Sequence, residues 1–576
     1  MTAVTLAACL TAYGQDLTTE ITVESEAEIA LPAARPLRSV FPVAPAAEAP
    51  AVRLSPSQYS RAVDFSPLPG NAAMPAFTGL TVPDGRRGYL RLGYFPAYNL
   101  GAEAGYRIID TEETSAGVAA GFHGSSYKSP AGYSYKHLFS SKNRTVSDNT
   151  FGAQAYASHA FSPMLRLRGD IAYFHAALKS PSMWDSEQKQ GIDALDLSLG
   201  LSGAGQFDYD LSFAYSRFGL TDNIFYSSGL PGQNETGTTG EYAPATDDRF
   251  RADLKAGVTF GADSTQRFGI DVAFGLLHRH GAQPDAFNFG PVTHSSSGIV
   301  TFLPAYSANV GKVDLRVGVR IDLGVNSPDK SFHITPDVMA TWSPRPAFTV
   351  FGIMKGGEQF RTLRDRYSYS AFAPGLTASS RSFTPVDGRV GITVRPVGAA
   401  SISLWGGYAS VRRMPMAALF NDMLIYVPVG LHGWTAGLDA SYILNDKLTI
   451  GAEARLYPHS YSGGSAYAPD RAHCTLAVKA SVRPIKPLLI DLGYSLRTGR
   501  RYYSYTLVSN SDGNFADRQA NAMGNISDLS LGGTYDIASN FSVFLSLENL
   551  LCRRVMILPT VFTQRIHGLA GISLRF

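Results

Sequence analysis

The chain has 576 residues, of which 45% are hydrophobic, and its mean hydropathy is −0.04. No run of about 18 consecutive apolar residues occurs, so the sequence excludes a membrane protein built from helices. The net charge of +3 and the lack of a concentrated Lys/Arg patch exclude nucleic acid as a partner.

Residues 1–14 have the apolar composition of a secretory leader. Ala12 and Gly14 are small and flank a cleavage position, so we expect this stretch to be the remnant of a signal peptide. The run from Leu6 to Cys9 also resembles a lipoprotein box, and lipoprotein processing at Cys9 is the alternative. Either route sends the chain across the inner membrane.

Residues 15–87 are rich in proline and alanine and follow neither the helical nor the strand period. Such a composition predicts an extended, mostly irregular segment, which we place in the periplasm. The part from Tyr59 to Leu68 carries enough aromatic and apolar side chains to dock against another surface.

Residues 88–576 consist of strand-like runs that alternate apolar and polar side chains. In the run 313–323, for example, Leu315 and Val317 alternate with Arg316 and Gly318. This is the period of strands with one apolar and one wet face, which both soluble sandwiches and membrane barrels use.

The connections between these runs alternate between short and long, and this separates the two folds. Short connections include 261–264, 343–346 and 484–487, whereas long ones lie near 221–247, 282–296, 358–383, 413–427, 457–471 and 501–524. Short turns at one end and long loops at the other are typical of bacterial outer-membrane barrels. The fold class is therefore all-β, a large antiparallel transmembrane β-barrel of about 22 strands.

The final run ends on an aromatic residue, Phe576, and its apolar side chains occupy alternate positions. An open apolar edge is an aggregation hazard in a soluble protein. The spacing of Gly571, Leu574 and Phe576 resembles the C-terminal recognition signal of bacterial outer-membrane barrels, which the assembly machinery reads on the last strand. We therefore expect this machinery to be a partner of the chain.

The last hairpin resembles that of a known family. Residues 542–551, which include Glu548 and Asn549, and the ending 568–576 are similar to the final strands of TonB-dependent receptors. The resemblance implies the barrel of that family, whose receptors also carry a folded plug before the barrel. Residues 15–87 are too few and too proline-rich for such a plug, so we expect a barrel without it.

No catalytic motif stands out: Gly-x-Ser-x-Gly, Walker A, His-Glu-x-x-His and Cys-x-x-Cys are all absent from the sequence. We therefore expect no enzyme, no cofactor and no metal site.

Many charged residues fall on the polar face of the predicted strands, where a dry core could not hold them. We expect them to face a wet or plugged lumen, either as a mutually neutralising wall or as a selectivity surface. They are Arg166, Arg168, Asp170, Arg251, Asp253, Lys255, Asp314, Arg316, Arg320, Asp322, Glu453, Arg455, Asp491 and Arg497.

Tyrosine and arginine concentrate in two of the long connections, as they do at binding hot spots. They belong either to the aromatic girdle of the barrel or to an extracellular contact surface. They are Arg361, Arg364, Tyr367, Tyr369, Tyr502, Tyr503 and Tyr505.

These observations predict a barrel of the bacterial outer membrane that contacts outer-membrane lipid. The first functional hypothesis is transport, in which the barrel passes or binds small solutes. The alternative is a scaffold that does not transport and belongs to an assembly or secretion complex, with a periplasmic or lipoprotein partner. A barrel-borne enzyme is the third class.

Overall fold

The structure is a computed structural model, and it describes residues 86–576 with several internal gaps. Not described are residues 97, 132–139, 163, 182–186, 222–244, 262–264, 285–290, 326–329, 366–380, 421–422, 445–446, 458–459, 462–471, 511–512 and 559–560. The predicted leader and nearly all of the proline-rich segment therefore lie outside the described residues.

Antiparallel strands make up almost all of the described chain. The first nine are β1 (Gly88–Phe95), β2 (Asn99–Asp110), β3 (Thr114–Ala131), β4 (Ser140–Ser162), β5 (Leu165–Pro181), β6 (Glu187–Gly203), β7 (Phe207–Leu220), β8 (Ala245–Phe260) and β9 (Gln266–Pro284). The next nine are β10 (Pro291–Val310), β11 (Val313–Val325), β12 (Ser331–Arg345), β13 (Phe348–Phe360), β14 (Arg381–Val394), β15 (Ala400–Phe420), β16 (Met423–Leu444), β17 (Leu448–Leu456) and β18 (Ser460–Tyr461). The last nine are β19 (Cys474–Ile485), β20 (Leu488–Thr498), β21 (Arg501–Asn510), β22 (Gly513–Ala522), β23 (Ile526–Ala538), β24 (Phe541–Glu548), β25 (Met556–Leu558), β26 (Val561–Phe562) and β27 (His567–Arg575).

Twenty-two of these strands close into one barrel, which confirms the predicted fold class and strand number. The ring runs from β1 to β17 and continues through β19, β20, β23, β24 and β27. It closes because β27 pairs with β1, from Tyr89 opposite Arg575 to Tyr94 opposite Ala570. Closure leaves no open edge in the ring, so each of its 22 strands has two neighbours.

Of the other strands, β18, β21 and β22 extend this ring, whereas β25 and β26 form a separate two-stranded sheet before β27. β18 pairs with β16 beside β17, and β21 and β22 form a hairpin between β20 and β23. At Tyr503 to Tyr505, β21 also pairs in parallel with the tip of β15. The stretches 413–427 and 501–524, which we expected to be loops, are therefore largely strand. A register shift between Val411 and Met414 carries the β15–β16 pairing beyond the predicted end of these strands.

The two ends of the barrel differ. The turn end carries both ends of the barrel chain and connections such as Gly311–Lys312 and Lys486–Pro487. The loop end carries the long connections, including 361–380 and 499–525.

Alternate residues form the two faces of the wall. Leu315, Val317 and Val319 on β11 are 36%, 45% and 43% exposed, although all three are apolar. The inner face is identified by contacts between strands that are far apart in the ring, such as the bond from Arg364, after β13, to Asp196 on β6. Arg316 and Arg320 lie on that inner face, so the exposed apolar side chains face outward.

Exposed aromatic side chains frame the apolar outer surface at two heights. Near the turn end lie Phe161, Phe207, Phe260, Phe268, Trp342 and Phe576. Closer to the loop end lie Tyr94, Tyr173, Phe250, Phe332 and Trp434, the last of which is 71% exposed. An apolar band between two aromatic girdles is the surface that a barrel presents to a bilayer.

Val317→Arg tests this assignment of faces. It places a charge on the outer face, four residues from the turn end of β11, and it should destabilise the folded barrel in a bilayer by about 2–4 kcal/mol. Urea titration of the barrel in lipid vesicles measures the difference. Ala477→Arg is the control, because Ala477 lies on the inner face directly opposite Glu453. An equal loss for both variants would contradict the assignment.

Candidate functional site

The inner face of the barrel carries all the charged residues that the sequence assigned to the lumen. The pairing registers place them there: Arg166, Arg168, Asp170, Arg251, Asp253, Lys255, Asp314, Arg316, Arg320, Asp322, Glu453, Arg455, Asp491 and Arg497. Several of them pair with one another or with further inner-face carboxylates. Arg455, for example, lies 2.5 Å from Asp439 and 3.0 Å from Glu453.

Some of these ion pairs skip a strand. Arg168 on β5 reaches Asp210 on β7 at 2.8 Å, and Arg267 on β9 reaches Asp208 on β7 at 2.6 Å. Each arginine crosses a glycine on the strand between, where an added Cβ would lie within 2.5 Å of the guanidinium group. The crossed residues are Gly200 and Gly257. The missing side chains are thus what allows the arginines to lie flat along the wall.

The last residues of β13 and the turn that follows them lead into the lumen instead of continuing outward. We call residues 358–365 the inward segment. Its end is one helical turn in which the Asp365 amide donates to the Thr362 hydroxyl at 3.1 Å and the Thr362 amide donates to the Asp365 carboxylate at 2.8 Å. This is the reciprocal arrangement of a capping box, and Thr-x-x-Asp is its sequence signature.

The tip of the inward segment is apolar and packs into an apolar cluster on the inner wall. Leu363 is 2% exposed and contacts a patch that spans β4 to β8 near the loop end. The patch comprises Val146, Phe174, Ala176, Leu178, Ile192, Ala194, Phe218, Leu220 and Ala245. Burial of one leucine at such a site contributes roughly 1.5–3 kcal/mol.

An aspartate and an arginine form hydrogen bonds to the backbone at the tip of the inward segment. The Asp247 carboxylate on β8 accepts a hydrogen bond from the Leu363 amide at 2.6 Å. Arg279 on β9 donates a hydrogen bond to the Arg361 carbonyl at 3.0 Å. Arg279 also binds both carboxylate oxygens of Asp247, at 2.6 and 2.8 Å. We call this arrangement an Asp–Arg clasp, since the carboxylate satisfies a backbone N–H and the guanidinium a backbone C=O.

A second Asp–Arg clasp holds the root of the segment. The Asp322 carboxylate on β11 accepts a hydrogen bond from the Glu358 amide at 2.8 Å. Arg320 donates a hydrogen bond to the Glu358 carbonyl at 3.0 Å. Arg320 also donates to both oxygens of Asp322, at 3.0 and 2.9 Å. The two clasps satisfy backbone groups that lack a neighbouring strand, on the β12 side of Glu358 and on both sides of Leu363.

The buried Glu358 carboxylate is itself neutralised. Arg413 lies 3.2 Å and Arg381 3.4 Å from one of its oxygens, and the Ser331 hydroxyl donates to the other at 2.8 Å. The root of the inward segment is therefore fixed to β12, β14 and β15 as well as to β11. Removing one member would leave a buried charge uncompensated, which typically costs several kcal/mol.

Two further contacts lie along the segment. Phe360 packs over Gly275 on β9, where an added Cβ would lie 2.6 Å from its ring. Arg364 donates to both oxygens of Asp196 on β6 at 2.8 Å. Together with the clasps, these contacts hold residues 358–365 along a chord from β13 to β6.

The loop residues predicted as extracellular contacts are placed differently. The Arg361 carbonyl and the Arg364 guanidinium bond to the inner wall, because the capped turn directs them inward. Tyr502 and Tyr503 are buried at the base of the β21–β22 hairpin, at 4% and 2% exposure. Tyr367 and Tyr369 lie outside the described residues, and for Tyr505 only the backbone pairing with Arg518 and Phe420 is described.

The inner wall on the other side of the ring is open to solvent. No residue of β17, β19 or β20 is buried on either face. The inner positions there are small or charged side chains, among them Thr449, Glu453, Thr475, Ala477, Lys479, Asp491 and Ser495. The lumen is thus filled in front of β6–β11 at the loop end and wet in front of β17–β20.

The three residues of the predicted assembly signal lie on the closing strand. Leu574 and Phe576 point outward, and Gly571 lies on the inner face opposite Gly93 and Phe544. The Phe576 backbone exchanges hydrogen bonds with Gly88, at 2.7 and 3.0 Å. Its ring covers Gly88 and stacks with Tyr106 at 6.3 Å, so it seals the seam between the first and last strands.

Asn549, part of the motif that carries the family resemblance, organises the connection after β24. Its side-chain amide donates to the carbonyls of Arg553 and Gln564 at 2.6 and 3.0 Å, and its backbone amide donates to Asp528 at 2.9 Å. It adopts a positive φ of 50°, a conformation that asparagine tolerates better than most residues.

Within the described part of the chain, no group of three or more His, Cys, Asp or Glu residues is arranged to hold a metal ion. No helix among the described residues has the length and apolarity to cross a membrane.

The fold matches solved receptor structures at low sequence identity. A point variant of the ferric enterobactin receptor of Pseudomonas aeruginosa superposes with a TM-score of 0.59 at 12% identity, over 85% of this chain and 80% of that one. The siderophore receptor PirA of Acinetobacter baumannii gives 0.61 at 10% identity, over 85% and 80%. The ferripyoverdine receptor of the outer membrane of P. aeruginosa gives 0.58 at 11%, over 85% and 72%.

The predicted resemblance to the barrel of TonB-dependent receptors is therefore confirmed at the level of the fold. No protein-family model matches this sequence, and no curated protein matches it either.

A buried carboxyl group beside the apolar cluster gives the barrel a pH-dependent stability. Asp148 lies on β4 near the loop end, beyond the aromatic girdle, and burial raises its pKa to about 7. Tyr127, which packs against the cluster, has its pKa raised by burial and by the neighbouring Asp148 carboxylate.

The folded barrel keeps the Asp148 proton up to about pH 7, whereas the unfolded chain releases it near 3.8. The free energy of unfolding should therefore fall as pH rises through this window. Asp148→Asn removes the effect and should be more stable than the parent at pH 8, by at most about 4 kcal/mol, with little difference at pH 4. Melting of the folded band on gels at both pH values measures this. A parent-to-variant difference that is the same at both pH values would contradict it.

Proposed function

We propose that the chain is an outer-membrane β-barrel of the transport type, which passes or binds small solutes and has no enzymatic activity. The observation that carries this proposal is the wet inner wall of β17, β19 and β20 inside a closed ring whose outer face suits a bilayer. The fold shared with siderophore receptors supports the same class.

The orientation is part of the proposal. The turn end would face the periplasm and the loop end the outside, since only outer loops are free to grow. Residues 15–87 would then be a periplasmic segment, and the barrel would lack the folded plug of TonB-dependent receptors. One of the similar structures is a complex of FpvAI with pyocin S2, and we extend the proposal to a protein partner of this barrel.

Single-channel recording tests the transport proposal. Purified full-length protein in planar bilayers should give discrete conductance steps, because the proposal requires a solvated path across the barrel. The preparation must run as the folded, heat-modifiable form. If folded protein leaves the bilayer current at its baseline, the lumen is sealed and transport fails.

The second candidate is a scaffold subunit that does not transport and binds periplasmic or lipoprotein partners through its N-terminal segment. The specific observation in its favour is the inward segment, whose buried network fills part of the lumen. If folded and inserted barrels produce no conductance steps in the recording above, the result favours the scaffold over transport.

We also propose that Gly571, Leu574 and Phe576 are read by the outer-membrane assembly machinery. Phe576→Asp should lower the amount of folded barrel in outer-membrane fractions at least fivefold, because a charge replaces the ring at the seam. Phe207→Asp is the matched control, an exposed outer-face aromatic at the same end of the barrel but away from the seam. Equal loss in both variants would show that any charge at this height blocks insertion and would remove the special role of Phe576.

A further inference from the structure

The inward segment divides the lumen into a filled and an open part. Its contacts extend from Asp322 on β11, through Gly275 and Asp247 on β9 and β8, to Asp196 on β6. The strands β17, β19 and β20 lie on the opposite side of the ring, and no described contact joins them to the segment. The open part of the lumen is therefore displaced from the barrel axis toward β17, β19 and β20.

We propose that residues 358–365 are a fixed internal constriction that closes the β6–β11 side of the lumen and confines solutes to the inner face of β17, β19 and β20. This inference rests on the proposed transport function and names the residues that set its path. Leu363 and the Arg364–Asp196 pair determine how wide the path is.

The attachment is strong because its parts are of different kinds. The Asp247 clasp and the Arg364–Asp196 pair supply charge-assisted hydrogen bonds in a partly dehydrated site. Leu363 supplies apolar burial, and its cluster excludes water from the neighbouring clasp. A segment held at its root and tip resists displacement better than a loop tethered only at its ends.

The path that remains defines a class of solute. Its wall carries threonine, serine and alanine between charges of both signs, with Glu453 and Lys479 exposed and Asp491 half-exposed. The carboxylates of Glu453, Asp439 and Asp491 are matched in number by the cations Arg455, Lys479 and Arg497, so the lining shows no excess of one sign. The solutes that fit are small and hydrophilic, with little discrimination between anions and cations.

Thiol labelling tests the division of the lumen without requiring conduction. In a background with Cys9→Ser, Cys474→Ser and Cys552→Ser, Ala477→Cys reports the open side and Ala194→Cys reports the wall beneath Leu363. A water-soluble maleimide should label Ala477→Cys at least tenfold faster than Ala194→Cys in the folded barrel. Equal rates would overturn the proposal.

A second experiment detaches the tip of the inward segment from the wall by substitution. Leu363→Asp combined with Arg364→Gln should raise the labelling of Ala194→Cys at least tenfold and increase single-channel conductance. Asp193→Asn is the matched control, because Asp193 lies on the same strand as Asp196 but faces outward and bonds Tyr173 and His175. A folded release variant with parental labelling and conductance would overturn the proposal.

A charge swap keeps the test valid if the release variant fails to fold. Arg364→Asp should widen the path, since the new carboxylate faces Asp196, and addition of Asp196→Arg should restore the parental labelling and conductance. Failure of this restoration would rule out the pair as a determinant of the path. If no variant conducts but the labelling pattern holds, the constriction stands and the transport function fails.

Discussion

The whole structure depends on one requirement, that backbone polar groups within a bilayer find partners inside the protein. A ring of antiparallel strands meets it, because the last strand pairs with the first and no edge is left. The pairing of β1 with β27 closes the ring, and it gives the first and last strands the second neighbour that every other strand of the ring already has. The alternation of side chains and the difference between the two faces follow from this closure.

The same requirement returns where the chain leaves the sheet. Residues 358–360 of the inward segment pair only with β14, and residues 361–365 have no strand beside them, so the amides and carbonyls left over need other partners. The two Asp–Arg clasps supply them, one from β11 and one from β8 and β9. Charged side chains in the lumen thus replace a missing strand as well as neutralising one another.

Much of the barrel could be predicted from sequence because strand alternation has a period of two. The faces of β11 follow directly from the order of Leu315, Arg316 and Val317. The inward course of residues 358–365 could not be predicted, since it depends on Asp196 and Asp247, which lie more than a hundred residues earlier in the chain. The Thr362–Asp365 capping box was the one local signal of an ordered turn there. The strand structure of residues 413–427 could not be predicted either, because the register shift between Val411 and Met414 interrupts the alternation.

The arginines that cross Gly200 and Gly257 have a consequence for how the barrel is built. Each joins two strands that are separated by a third, so its ion pair depends on the registers of both strand pairings between them. A strand that slipped by two residues would keep its inside and outside faces, and the backbone ladder would still form. The guanidinium group, however, would then meet a side chain instead of a bare glycine and would miss its aspartate. These pairs therefore stabilise the one alignment of three consecutive strands in which all the distances agree, and a slipped alignment would lose them.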